Sequence, residues 1–126
     1  MGLFDLFGES ETSSVSKVNW LPLETMQHLE EKIKQSFEKP VLLFKHSTRC
    51  HISRMVLREF ENDFPHEEII TPYFLDLLEY RNLSNEIASR FGVQHQSPQV
   101  IVIKSGFAVY NASHENIDVE DLKRFV

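Results

Sequence analysis

The sequence predicts an α/β domain in which helices cover a mixed sheet, and three observations carry that reading. Apolar runs of strand length (Val41 to Phe44, Tyr73 to Leu77, Gln99 to Ile103) alternate with segments whose apolar residues recur at helical spacing. Ser105-Gly106 separates the last of these runs from Phe107 to Tyr110 by two turn-forming residues, the mark of a β-hairpin at the sheet's end. A chain of 126 residues has the length for one such domain around a single core.

Taken in order, Glu24 to Phe37 places Met26, Leu29, Ile33 and Phe37 on one helical face, with Glu30 set four residues before Lys34 outside and Pro40 ending the element. Val41-Leu42-Leu43-Phe44 follows, a continuous apolar run that predicts a strand buried on both faces. From Cys50 to Phe64 a second helix is predicted, because Ile52, Val56, Phe60 and Phe64 recur every four residues and Met55 widens the stripe. The next strand is placed at Tyr73 to Leu77, since Pro72 cannot donate to an interior ladder. Leu83, Ile87, Ala88 and Phe91 form a third helical stripe, opened by Asn82 and closed by Gly92. After the hairpin, a helix from Asp118 has an acidic first turn, a basic last turn and Val119, Leu122 and Phe125 on its inner side.

The formal net charge of −6 argues against a nucleic-acid surface, which needs Lys and Arg to neutralise phosphates. No apolar run approaches the roughly 20 residues that span a bilayer, and no secretory leader is evident, so a cytoplasmic protein without membrane association is expected. Residues 1–16 read as an N-terminal segment apart from the domain at 17–126: an apolar octet, Met1 to Gly8, then a polar, flexible linker from Glu9 to Ser16. Leu6 stands where a myristoylation signal needs Ser or Thr.

Chemistry concentrates at Cys50, the single cysteine, where the first apolar strand gives way to the second helix in Phe44-Lys45-His46-Ser47-Thr48-Arg49-Cys50-His51-Ile52-Ser53-Arg54. A thiol at a helix N-terminus lies at the positive end of the dipole, among N–H groups without helical partners, and both favour its thiolate. Arg49, His51 and Arg54 add positive charge. An isolated cysteine is more often a small buried hydrophobe, but here the four residues before it are polar and His51 follows, which is no core pattern. One cysteine also excludes an internal disulfide, and a reducing compartment keeps such a thiol free.

With a reactive cysteine after the first buried strand and Ser97-Pro98 just before the hairpin, the element order resembles the thioredoxin-like superfamily. Within it, the stretch from Phe44 to Ser53, together with Ser97-Pro98-Gln99 and Ser113-His114, resembles the monothiol bacilliredoxins over about Val18 to Val126. That resemblance implies a thioredoxin-like fold with a cis peptide bond before Pro98, and a thiol–disulfide oxidoreductase using Cys50 as nucleophile. It implies that Ser53, in place of a resolving cysteine, donates its hydroxyl to the thiolate, so that a mixed disulfide awaits an external thiol. Phe44 stands where thioredoxins bury a carboxylate. The low-molecular-weight thiol implied is bacillithiol as a co-substrate, with no tightly bound cofactor and no metal. Its carboxylates would meet Arg49, Arg54 or the helix N-terminus, beside His51, and the Ser97-Pro98 backbone would pair with S-bacillithiolated client proteins.

Alternatives stay open at this level. Coenzyme A or glutathione are other candidate thiols, an iron–sulfur carrier would use one such cysteine per subunit, and a non-catalytic thioredoxin-like interaction module would use none. His46, His51, His95 and His114 lack a recognised zinc spacing and read as surface or supporting residues. Trp20 and Tyr73 read as core, and Arg58 as a solvated helix face.

Overall fold

The structure, a computed structural model, describes residues 18–47, 51–64 and 69–125. Its five strands, β1 (Leu21–Pro22), β2 (Val41–His46), β3 (Thr71–Asp76), β4 (Gln99–Lys104) and β5 (Phe107–Ser113), form one sheet in the order β1-β3-β2-β4-β5. β3 is parallel to β1 and β2, whereas β4 is antiparallel to both β2 and β5, which makes the sheet mixed as the sequence predicts.

Side chains on β2 and β4 alternate between two apolar layers because successive strand residues face opposite ways. On one face Leu43, Ile101 and Ile103 pack with Leu29 of α1 (Met26–Gln35) and with Leu83 and Ile87 of α3 (Arg81–Phe91). On the other, Leu42, Phe44, Val100 and Val102 pack with Phe60 and Phe64 around α2 (His51–Asp63) and with Val119 and Leu122 of the C-terminal segment. All six residues of β2 are buried, the condition of a central strand covered on both faces.

Several boundaries differ from the sequence expectations for physical reasons. Thr25 opens α1, its hydroxyl accepting the His28 N–H at 2.9 Å, and the helix stops at Gln35, short of Pro40. Leu29 is buried, but Met26 and Phe37 at the ends of the stripe are exposed, and Glu30 pairs with Arg90 of α3. β2 runs two residues past its apolar stretch, through Lys45 and His46. β3 starts at Thr71 and includes Pro72, which is tolerated because β1 covers only Tyr73 and Phe74 and leaves Pro72 beside an open edge. The two-residue β1 carries no sequence signal. Tyr80, not Asn82, precedes α3, with no side-chain cap. The C-terminal segment Val119–Phe125 is a 3₁₀ helix, preceded by a short one at His114–Asn116. Both turn residues of the hairpin, Ser105 and Gly106, have positive φ, as the tight two-residue turn requires.

Gly92 closes α3 in the left-handed region at φ +65°, and an added Cβ would meet nothing within 4 Å. Gly92→Ala is therefore expected to cost about 1 kcal/mol through backbone conformation alone. A urea unfolding midpoint unchanged from the parent would show that the turn has another conformation open to it.

Among the described residues, no helix is long and apolar enough to cross a membrane.

Candidate active site

The carboxyl end of β2, the amino end of β4 and the start of α2 bring the sequence-selected residues to one end of the sheet. Cys50 and Arg49 lie outside the described residues. The first residue after them, His51, opens α2 and is exposed, and Arg54, one turn on, is exposed as well. Ser53 is fully buried between them: its Oγ lies 2.7 Å from Nδ1 of His46 and accepts the Ser47 N–H at 3.2 Å. The period of the helix accounts for this, since residues 51, 52, 54 and 55 face outward and 53 turns toward β2.

The Ser97–Pro98 peptide bond is cis, and Pro98 is buried at the head of β4. The Pro98 carbonyl accepts the His114 N–H at 3.0 Å, which ties the prolyl loop to the segment after β5. Ser97 Oγ and Gln99 Oε1 are buried without hydrogen-bond partners. Gln99 Nε2 donates to the Gln94 carbonyl at 2.8 Å and so holds the loop before the proline from beneath.

Two residues, Lys45, to which the sequence reading gives no role, and His46, which it places only among surface or supporting histidines, are among the most buried polar groups of the site. His46, at the last position of β2, is only 3% exposed. Its ring sits near those of Phe44 and Phe74, and burial holds its pKa below the usual histidine range, against the opposing pull of Asp76 and Glu61 and with a smaller push from Arg54. Lys45 is fully buried on the opposite face, where its ammonium donates to the Ser84 carbonyl at 3.2 Å and lies 3.4 Å from Nδ1 of His95. Burial lowers its pKa to about 8. Burial first, and then the charges of Lys45 and Arg81, push the pKa of His95 down. A strand continued by its period-2 alternation through Lys45 and His46 was the signal that would have found both.

Trp20 contacts the rings of Phe44, Phe60 and Phe74 and donates Nε1–H to Glu61 at 2.7 Å, while Tyr73 is buried with its hydroxyl donating to Gln35. Both are packing residues. Beside α2, exposed Ile52 and Met55 border an open groove of about 420 Å³ whose far wall is His114, Ile117 and Val119. The N-terminal part of the helix stripe therefore lies at the surface, not in the core. Among the described residues, no group of three or more His, Cys, Asp or Glu side chains is placed to hold a metal.

The sequence matches the family of monothiol bacilliredoxin BrxC over residues 21–122. The chain belongs to the monothiol bacilliredoxin family. Among solved structures, the bacilliredoxin is similar to one described as a candidate oxidoreductase with a thioredoxin fold, at 32% identity and a TM-score of 0.72, covering 82% of this chain and 90% of the other. Mitochondrial thioredoxin 3 of Saccharomyces cerevisiae matches at 14% identity and a TM-score of 0.68, covering 87% and 95% of the two chains. The Malassezia sympodialis thioredoxin Mala s 13 matches at 18% and 0.66, covering 87% and 90%. The last two speak to the fold alone, which is the thioredoxin fold. This bacilliredoxin is a monothiol thiol–disulfide oxidoreductase, and its protein substrates carry thiols.

Proposed function

We propose that this bacilliredoxin removes bacillithiol from S-bacillithiolated client proteins in the cytoplasm, through a mixed disulfide on Cys50. The observation that carries the reading is a single thiol in a bacilliredoxin sequence with Ser53, not cysteine, three residues after it. The Cys50 thiolate attacks the bacillithiol sulfur of the client's mixed disulfide, the sulfur–sulfur bond to the client breaks, and the client leaves as its thiolate. A second bacillithiol thiolate then attacks the adduct on Cys50, forming bacillithiol disulfide and restoring the Cys50 thiolate. With no second cysteine to expel the adduct, this external thiol is the co-substrate.

Exposed Arg54, together with Arg49, supplies positive charge for the carboxylates of the small thiol, with exposed His51 beside them. The backbone at Ser97 and Pro98 is the client-facing strand end, and Ser53, three residues after the nucleophile, stands where a resolving cysteine would. The test uses a client carrying a bacillithiol adduct and free bacillithiol as reductant. The parent protein is expected to restore the client thiol catalytically, and Cys50→Ala to do so no faster than buffer. Equal rates would exclude Cys50. Intact mass after exposure to the disulfides of bacillithiol, coenzyme A and glutathione separately identifies the preferred thiol by the adduct formed.

A further inference from the structure

The loop that leads into Pro98 is fastened to two side chains that stand side by side on the sheet. Lys45 and Gln99 lie opposite each other across the β2–β4 ladder, which puts their side chains on one face. Gln99 Nε2 donates to the Gln94 carbonyl at 2.8 Å, and the Lys45 ammonium lies 3.4 Å from Nδ1 of His95, whose other neighbour is Ser84 Oγ at 3.2 Å. Backbone bonds hold the two ends of the loop, where the Val93 N–H donates to Ala88 and the Pro98 carbonyl accepts from His114. Between those ends these side chains do the holding.

A lysine is a costly anchor in this place. Its ammonium is fully buried, and the groups it reaches, the Ser84 carbonyl at 3.2 Å and His95, carry no negative charge. A neutral donor would fasten the loop without the cost of a buried charge. What the charge adds is a condition on His95. An ammonium has three N–H donors and no lone pair, so the contact exists only while Nδ1 keeps its own lone pair. If Nδ1 takes a proton, Ser84 Oγ can turn to accept it, but Lys45 cannot, and two cations would stand 3.4 Å apart.

We propose that Lys45, Ser84 and His95 form an acid-released latch on the prolyl loop, closed while His95 is neutral and open when it is protonated. The consequence for clients rests on reading the Ser97–Pro98 backbone as the client-facing strand end. His95 as a whole is exposed, so protons reach the ring from solvent although Nδ1 faces inward. Burial, and then the two charged groups that face the ring, Lys45 of β2 and Arg81 of α3, hold its pKa below the usual histidine range while the latch is closed. In the open loop the same histidine returns to the ordinary value of 6.5 and binds more protons than the latched one. Falling pH therefore moves the balance toward the open loop from about pH 6.5 downward, by at most about 30-fold at pH 5. Lys45 and His95 are positioning residues, since neither touches the reacting sulfur.

NMR relaxation dispersion of the Gln94, His95, Gln96 and Ser97 amides in the full-length protein reads the open population on the μs–ms timescale. Between pH 7.5 and pH 5 that population is expected to rise at least fivefold in the parent. In His95→Asn, whose side-chain oxygen replaces Nδ1 as a neutral acceptor, it should not change with pH. In Lys45→Met, where a protonated His95 can donate to Ser84 Oγ unopposed by the ammonium, the rise should shrink to less than half of the parent's. No rise in the parent, or an undiminished rise in either variant, overturns the latch. Amide shifts elsewhere in the same spectra report that each variant is folded. These measurements need neither the Cys50 thiol nor bacillithiol. For an S-bacillithiolated client, the KM of the parent divided by that of His95→Asn is expected to rise at least threefold over the same pH range, a ratio from which the ionisation of Cys50 cancels. A flat ratio beside an intact pH response of the loop would remove the client-facing role of Ser97 and Pro98 and leave the latch standing.

Discussion

Phe44→Asp is expected to unfold the domain at neutral pH, or to leave it destabilised by about 5 kcal/mol or more. Phe44 is fully buried in β2, with the rings of Phe60 and Trp20 centred 5.4 Å and 5.6 Å away in edge-on geometry. Removing such a ring costs about 3–5 kcal/mol through lost burial and the cavity left behind. The carboxylate then adds the cost of an uncompensated charge in an aromatic layer, several kcal/mol more. Against a usual total of about 5–15 kcal/mol, little remains. Thioredoxins bury a carboxylate at this place, and their fold is the same, so the intolerance predicted here belongs to the Trp20–Phe44–Phe60 packing. Urea unfolding measures it, with Phe44→Leu as the control expected to fold and to lose far less. A Phe44→Asp protein within 1 kcal/mol of the parent would mean that water reaches this layer.

The parts of the fold legible in the sequence are those in which local pattern and burial agree. The apolar run at Val41, the helix stripe through Phe60 and Phe64 and the Ser105-Gly106 turn each announce their element because period, turn chemistry and packing coincide. The strand end at Lys45 and His46 is hidden for the opposite reason. Two charged or polar residues before Ser47 read as a loop, yet pairing with β3 carries the strand through both of them and pairing with β4 through Lys45, and only tertiary structure supplies that pairing. The same holds for β1, whose two residues are exposed and become a strand only by lying against Tyr73 and Phe74. At the site, Cys50 and the Ser97-Pro98 pair stand out by residue type, and Ser53 by its distance from the cysteine. His46 has no such mark in sequence, since its link to Ser53 spans seven positions and crosses from strand to helix.

Lys45→Met is expected to stabilise the protein at pH 7, and to do so less as pH rises. The Lys45 ammonium is fully buried against neutral partners, the Ser84 carbonyl and His95, and burial brings its pKa down from 10.5 to about 8. The unfolded chain holds that proton up to about pH 10.5, whereas the folded protein releases it above about 8. Between those values the unfolded state binds more protons, so stability contributed by this residue climbs with pH across the window and is flat below it. Below pH 8 the folded state therefore carries the whole cost of the buried charge, at most about 3 kcal/mol from the size of the shift. Methionine fills a similar length without a charge, and its sulfur and methylenes suit the layer of Leu43, Leu83 and Ile101 that flanks the position. The gain should be about 2–3 kcal/mol at pH 7 and should fall toward zero near pH 10, measured as the difference in urea unfolding between the two proteins so that titrations common to both cancel. Removing the neighbouring charge should also raise the pKa of His95, which NMR titration reads independently. A variant less stable than the parent at pH 7, or a difference that stays constant from pH 7 to 10, would show that the lysine's contacts outweigh the cost of burying its charge.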